Sequence, residues 1–139
     1  MRLLIFAFHM TFITSLEDHL QKKTSFLYLG KDLEDEYKLD VCDKFNNSNE
    51  VRVILIDMTQ DLSCLEFTTP NTIILFAEVF WNEKLMMKAE NVIQTQGIKS
   101  AANILYLFGR YTLDEYIFKY LYKMNRDLYH DLEPLQLDL

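Results

Sequence analysis

Residues 72–116 read TIILFAEVFWNEKLMMKAENVIQTQGIKSAANILYLFGRYTLDEY and contain two predicted strands, each followed by a predicted helix. The strands are the apolar runs 72–76 and 102–108. The first helix is predicted over 82–95 from apolar residues that recur at helical spacing, namely Leu85, Met86, Ala89 and Ile93. Thr112 is predicted to cap the second helix, with Glu115 at the capping-box position. Strands that alternate with helices in this way indicate βαβ units and a parallel sheet.

The same alternation extends through the residues before this stretch. Strands are predicted at 3–8, 25–29 and 51–56, each rich in residues that favour strands. Helices are predicted at 11–22 and from Asp32, or a neighbouring cap residue, to Phe45, and residues 59–69 are predicted to be irregular or a short helix. We therefore expect one three-layer α/β domain with a mostly parallel sheet and helices on both faces.

The composition fits a single folded domain with an acidic surface. The chain has 139 residues, half of them hydrophobic, and we assign residues 1–132 to the domain and 133–139 to a short tail. It carries 14 basic and 21 acidic residues, for a formal net charge of −7. Because a surface that grips phosphates needs an excess of Lys and Arg, we expect DNA binding to be weak.

The N-terminal run Met1–Phe12 has a basic residue followed by apolar residues, as a signal peptide has. On this run alone rests one alternative, a small secreted or membrane-tethered protein. His9 interrupts the run and no small-residue cleavage pattern follows, so a buried strand explains it better. The apolar run 73–81 is far shorter than the ~20 residues of a membrane helix. We therefore expect no membrane association.

The side chains that usually carry metal or nucleophilic chemistry are scattered along this sequence. Cys42 and Cys64 form no C-x-x-C pair, and the three histidines are distant from one another. Zinc sites need clustered ligands, so no metal site is expected. No Ser, Cys and His combination indicates a nucleophile with its base.

Four short segments resemble motifs of one known family. They are Phe80-Trp81-Asn82, residues 88–97 (KAENVIQTQG), residues 104–107 (ILYL) and residues 112–116 (TLDEY). Swi/Snf-like helicases of the HARP-like annealing branch read F-W-N, Q-A-E-D-R-x-H-R-I-G-Q, I-H-Y-L and G-T-x-D-x-Y here, with the same spacing. Residues 6–9 (FAFH) also resemble the F-A-H-H that opens the second motor lobe. The resemblance implies a RecA-like second (C-terminal) helicase lobe.

The resemblance also implies that ATP chemistry has been lost from this chain. The family binds ATP and Mg²⁺ between two lobes, but these 139 residues contain no G-x-x-x-x-G-K-[ST] phosphate-binding loop. The two motif VI arginine positions carry Val92 and Thr95, so no catalytic residue is assigned. Glu90 and Gln94 match other motif VI positions and are candidates for the ATP cleft. For this chain alone we expect no cofactor.

The family's DNA-contacting motif V corresponds to residues 57–66 (DMTQDLSCLE). By resemblance, Thr59 and Ser63 are candidate DNA contacts. The family's glycine is replaced by Cys64, and Asp61 and Glu66 add negative charge, which disfavours phosphate binding.

The sequence leaves three functions open. The first is a degenerate or truncated C-terminal lobe of an ATP-dependent DNA annealing helicase or translocase, without ATPase activity of its own and nuclear by resemblance. The second is one half of a split motor whose first lobe is supplied in trans. The third is a non-catalytic protein-interaction domain.

Two further expectations concern surfaces. In a two-lobe motor, part of the second lobe faces the first, so we expect an exposed apolar face near motifs V and VI, with Met58, Leu62, Leu65 and Val92 as candidates. If the domain has adapted to life without the first lobe, Val92 is expected to be buried or paired in a dimer, and if it has decayed, Val92 is expected to stay exposed. The tyrosine-rich last helix is expected to use its tyrosines for core or partner packing rather than for stacking nucleobases, because acidic residues flank them.

Overall fold

The computed structural model describes residues 1–92 and 103–124. Nine elements occur in this part of the chain, in the order β1 (Arg2–Ala7), α1 (Met10–Gln21), β2 (Leu27–Leu29), α2 (Asp35–Asn47), β3 (Val53–Asp57), β4 (Thr72–Phe76), α3 (Glu83–Asn91), β5 (Asn103–Tyr106) and α4 (Leu113–Met124). The predicted domain end at residue 132 and the tail 133–139 lie outside the described residues.

The five described strands form one parallel sheet in the order β2-β3-β1-β4-β5. β1 is central, with Ile5 paired to Leu55 of β3 on one side and to Leu75 of β4 on the other. The N-terminal apolar run is thus the middle strand, as predicted. A central parallel strand is buried on both faces, which explains why this run is apolar without alternation.

Helices cover both faces of the sheet, which confirms the three-layer prediction. On one face α1 packs through Ile13 against Ile5, Ala7 and Leu55, and these residues form the smaller core cluster. The opposite face carries α2, α3 and α4. Its buried residues form the larger cluster, here called the main core cluster, which includes Phe6, Phe45, Ile54, Phe76 and Met86. Successive strand residues point to opposite faces, so each strand serves both clusters.

A row of aromatic rings crosses the face of the main core cluster. Phe6, Phe76 and Tyr106 are cross-strand neighbours on β1, β4 and β5. The ring centroids of Phe6 and Phe76 are 5.2 Å apart, and those of Phe76 and Tyr106 are 5.0 Å apart. Offset stacking at this separation adds to the burial energy of each ring. These ring contacts therefore stabilise the packing of β5 against the centre of the sheet.

The start of α2 differs from prediction. Its cap was expected at Asp32 or a neighbouring residue, but α2 begins at Asp35 after the N-cap Glu34, whose side chain makes no capping hydrogen bond. Leu33 packs against the main core cluster, which holds the chain extended before the helix begins. By contrast, Asn82 caps α3, since its side chain accepts hydrogen bonds from the backbone N–H groups of Lys84 and Leu85.

The start of α4 lacks the predicted capping box. The Thr112 hydroxyl donates to the Gly109 carbonyl oxygen at 2.7 Å, and Glu115 Oε2 accepts from the backbone N–H of Tyr111 at 3.4 Å. Tyr111 has a positive φ of 59°. The family motif has glycine at this position, and glycine adopts that conformation without steric cost. Tyr111 adopts this conformation at a steric cost, and burial of its side chain does not offset the cost because the side chain is 95% exposed.

Two tyrosines of α4, Tyr116 and Tyr120, are exposed, so the prediction of core packing is wrong for them, while partner packing stays a prediction. Ile117, Phe118 and Leu121 belong to or pack against the main core cluster. Because one face of a helix covers about a third of its residues, these three residues fill that face and Tyr116 and Tyr120 lie beside it.

Within residues 1–92 and 103–124, every helix is too short or too polar to cross a membrane.

Candidate functional site at the carboxyl edge of the sheet

The strand order creates a topological switch point between β1 and β4. The connection from β1 leads to β2 on one side of the sheet, and the connection from β4 leads to β5 on the other. Open α/β sheets bind ligands in the crevice that forms where such connections diverge, outside the carboxyl ends of the strands. The candidate site is therefore built from the loops at this edge, which include the motif V loop and the start of α1.

In the motif V loop, the hydroxyl of Thr59 donates to the carboxylate of Asp57, at the end of the preceding strand. Asp57, the last residue of β3, is buried, and its Oδ1 accepts from the backbone N–H of Thr59 at 2.9 Å and from the Thr59 hydroxyl at 2.6 Å. Because the Thr59 hydroxyl already donates its proton to this carboxylate, it has no proton left to donate to a DNA phosphate, and the carboxylate lies close to where the phosphate would bind. The DNA contact assigned to Thr59 stays a prediction, and this geometry weighs against it.

The second candidate of this loop is arranged in the same way. Asp61 Oδ1 accepts from the backbone N–H of Ser63 at 2.9 Å. That bond, followed by one from the Ser63 hydroxyl, holds the pKa of Asp61 below its ordinary value. The carboxylate beside Ser63 is thus ionised at neutral pH. The DNA contact assigned to Ser63 also stays a prediction.

The apolar residues of this loop are buried, so the predicted exposed face is wrong at this position. Met58, Leu62 and Leu65 are at most 5% exposed and belong to the main core cluster. Gln60 Nε2 donates to the Leu29 carbonyl oxygen at 2.7 Å and ties the loop to the end of β2. The loop folds back over the sheet because its apolar residues complete the core that α2 begins.

Val92 is also buried, with 7% of its surface exposed, and it joins the main core cluster. Its carbonyl oxygen accepts from the backbone N–H of Phe67 at 3.3 Å. The position that carries an arginine in the family motif therefore completes a core in this chain. Of the two outcomes expected for Val92, exposure in a decayed lobe or burial in an adapted one, the structure shows burial. Gln94 and Thr95 lie outside the described residues.

Glu90 faces its own lobe. The Tyr106 hydroxyl donates to Glu90 Oε1, which links α3 to β5. Glu90 is half-buried, and the Tyr106 ring belongs to the aromatic row of the sheet. A role of Glu90 at an ATP cleft stays a prediction.

Sequence reasoning missed Glu78, which lies at the switch point itself. Its Oε2 accepts from the backbone N–H groups of Phe8 at 2.8 Å and His9 at 3.0 Å. Its Oε1 lies 2.5 Å from His9 Nδ1. The Glu78 side chain is 14% exposed. One signal was available, because Glu78 is an acidic residue two positions after a strand that ends at the carboxyl edge.

The cysteines have the properties of structural thiols. Burial raises the pKa of Cys42 to about 11, and desolvation also raises the pKa of Cys64. Both thiols are therefore protonated at neutral pH, which makes them poor nucleophiles. Among residues 1–92 and 103–124, no three His, Cys, Asp or Glu side chains are grouped to hold a metal ion.

The fold is that of a RecA-like α/β lobe. A solved structure of the C-terminal part of the Fun30 ATPase domain matches with a TM-score of 0.75 and 18% identity, over 85% of this chain and 38% of that one. No family model matches the chain.

Two curated proteins are similar to this chain in amino-acid sequence. The SWI/SNF-related matrix-associated actin-dependent regulator of chromatin subfamily A-like protein 1 of Xenopus laevis is 26% identical over 117 residues, 84% of this chain. The DNA annealing helicase and endonuclease ZRANB3 of Bos taurus is 26% identical over 115 residues, 82% of this chain. The chain spans 12% of the first relative's length and 11% of the second's. It is a homologue of Swi/Snf-like proteins that include an annealing helicase, as the motifs predicted.

Proposed function

We propose that this chain is a C-terminal motor lobe of the Swi/Snf-like annealing-helicase type that does not hydrolyse ATP by itself. The observation that carries the proposal is the burial of Val92 in the main core cluster. Its relatives' names place them in chromatin regulation and DNA annealing, so we further propose a nuclear protein that derives from a DNA repair or replication-fork enzyme.

The proposal depends on what ATP hydrolysis requires. An arginine finger stabilises the charge on the transferred phosphate and contributes on the order of 10³–10⁵ in rate. A buried valine carries no charge, and the surrounding core separates this position from the surface where a nucleotide would bind. A phosphate-binding loop, which would hold the nucleotide and Mg²⁺, does not occur in the 139 residues. In the family, ATP and Mg²⁺ bind between the two lobes. In this chain Glu90, a candidate for that cleft, instead accepts a hydrogen bond from the Tyr106 hydroxyl of its own lobe.

The purified chain is expected to show no DNA-stimulated ATPase activity. Phosphate release would be measured with and without forked DNA, before and after a second independent purification. The protein should match the buffer background each time. Turnover that persists through the second purification would contradict the proposal.

We propose that any DNA binding by this lobe is weak. The formal net charge of −7 repels phosphate, and in the motif V loop Asp57 and Asp61 lie directly beside the two candidate hydroxyls. Nonspecific binding through phosphates rests on basic residues and falls steeply with salt.

Fluorescence anisotropy with labelled forked DNA would test this at ~0.15 M salt. The expected dissociation constant is micromolar or weaker, about the range of nonspecific binding. Asp61→Asn removes one carboxylate from the loop and should tighten binding slightly, while Asp18→Asn on α1 controls for the same change in net charge. A submicromolar value for the unaltered chain would show that a local basic surface overrides the net charge.

A split motor is the second candidate, and it rests on the resemblance to a family that binds ATP between two lobes. This chain aligns with 12% of the first relative's length. A neighbouring reading frame that encodes a phosphate-binding loop would support a lobe supplied in trans. Mixing its product with this chain should then restore ATPase activity, and failure to do so would leave the first candidate.

A further inference from the structure

The two faces of the sheet are covered unequally in the part of the chain that the structure describes. The helices α2, α3 and α4 pack on one face, and α1 packs on the other. Because α1 connects β1 to β2, it lies over the half of the sheet that contains β3. On the α1 side, the side chains of β4 and β5 are therefore expected to be more exposed than those of β1.

Exposure on this face does rise from the centre of the sheet to its edge. Ile5 of β1 is buried, its neighbour Leu75 on β4 is half-buried, and Leu105 on β5, which pairs with Leu75, is 39% exposed. The backbone N–H of Leu107 continues the ladder by donating to the Phe76 carbonyl oxygen at 2.9 Å. Strand alternation therefore places Leu107 on the same face as Leu105, and its side chain is 48% exposed.

These apolar side chains form one strip at the edge of the sheet. The strip, here called the β4–β5 strip, consists of Ile73, Leu75, Leu105 and Leu107. Contiguous apolar surface on a folded domain marks a place where something else packs. The question is therefore which segment or molecule covers the strip.

The sequence that follows α4 contains leucines in a pattern that matches such a strip. Residues 125–139 lie outside the described part of the chain and read NRDLYHDLEPLQLDL. Over 135–139 leucine alternates strictly with a polar residue. This period of two puts the apolar residues of an extended segment on one side. The leucines that share this side are Leu135, Leu137 and Leu139.

The same segment is long enough to reach the strip. α4 packs on the main core cluster through Leu121 and ends at Met124, so the chain that continues from it must pass around β5 to reach the α1 side. β5 is the last described strand in the sheet order, so it alone separates the two faces there. Residues 125–139 can span about 50 Å at ~3.3 Å per residue, which exceeds the ~20 Å of one helix layer and one sheet layer.

We propose that residues 135–139 pack their leucines against the β4–β5 strip and cover the α1 side of β5. The occupant is a segment of this chain rather than a second copy, because the segment is tethered to α4 beside the strip. A short tether holds a segment at an effective concentration in the millimolar range, which a second copy in dilute solution does not reach. The inference concerns this surface alone and does not depend on whether the lobe hydrolyses ATP.

The test is a thermodynamic cycle between the segment and the strip. The tail variant carries Leu135→Asp, Leu137→Asp and Leu139→Asp, and the strip variant carries Leu105→Gln and Leu107→Gln. In the unaltered chain the tail substitutions should lower the melting temperature by about 5 °C, because they remove apolar burial. In the strip variant the same substitutions should lower it by about 1 °C or less, because the leucines have already lost their apolar partner. Circular dichroism during heating would measure all four proteins.

Two control variants and a dye accompany the cycle. Gln136→Asp adds a charge to the segment without removing a leucine, and Leu39→Gln removes a leucine that is 55% exposed on α2. Each should change the melting temperature by about 1 °C or less. The dye 1-anilinonaphthalene-8-sulfonate binds exposed apolar surface. Its emission should rise with the tail variant, and it should stay at the level of the unaltered chain when the strip variant carries the same tail.

Equal losses from the tail substitutions in the two backgrounds would overturn the proposal, because the segment and the strip would then act independently. A tail variant with unchanged melting temperature and dye emission would also overturn it, since the strip would then be open to solvent. A third contradicting result is an unaltered chain that sediments as a dimer and that the strip variant alone dissociates, because a second copy would then cover the strip. If the strip variant does not fold, Leu107→Gln alone replaces it in the same cycle, and the results are interpreted in the same way.

Discussion

Val92→Arg is expected to lower the melting temperature of this chain by about 10 °C or more. The side chain is 7% exposed and lies within the main core cluster, so a guanidinium there would lose its hydration without a designed partner. An unpaired buried charge costs several kcal/mol, and each kcal/mol shifts the melting temperature of a domain this size by roughly 2–8 °C. Circular dichroism during heating would measure the shift.

Asn91→Arg provides the matched control, because it adds the same charge one residue earlier, at the exposed last residue of α3. Surface substitutions of this kind usually change stability by less than ~0.5 kcal/mol. A Val92→Arg protein with an unchanged melting temperature and better solubility would mean that this position belongs to an open lobe interface. The expected large loss would instead indicate that the lobe has rebuilt this position as core.

Phe76→Ala is expected to reduce the free energy of unfolding by about 3–5 kcal/mol. Phe76 is fully buried on β4 and its ring lies between those of Phe6 and Tyr106, at 5.2 and 5.0 Å. Truncation leaves a cavity in the middle of the aromatic row and removes both ring contacts. Urea titration followed by circular dichroism would give the free energy and the slope in the same experiment.

Tyr116→Ala serves as the control for Phe76→Ala, since it also removes an aromatic ring but from a position that is 72% exposed. It should change stability by less than ~0.5 kcal/mol. Equal losses for the two variants would contradict the assignment of the core to the aromatic row and would place the α4 tyrosines in a stabilising contact.

Much of the architecture was predictable because it depends on short-range patterns. The runs at β1, β3 and β4 are apolar on both faces, and such strands occur in parallel sheets between two layers of helices. The α3 helix was predicted from its apolar spacing, and the structure adds that the Asn82 side chain accepts from two backbone N–H groups as an N-cap does. The family resemblance came from the same stretch, and the relatives at 26% identity confirm it.

The start of α2 and the capping contacts of α4 were predicted less well because they depend on contacts outside the local capping pattern, although α4 begins at Leu113 as predicted. Leu33 packs into the main core cluster and delays α2, while Glu115 bonds to Tyr111 instead of to the predicted cap. Capping rules describe local hydrogen bonds, and tertiary packing overrides them where a buried side chain fixes the approach of the chain.

The candidate site divides in the same manner. The sequence by itself determined that motif VI lacks its arginine at Val92, that the motif V loop is acidic, and that the strands lie parallel with β1 buried. The tertiary structure decided that Val92 is core, that Thr59 bonds to Asp57, and that the Glu78 carboxylate reaches His9 across 69 residues. Periodicity and composition act over a few residues, whereas the pairing of a carboxylate with a distant helix start depends on which strands become neighbours in the sheet.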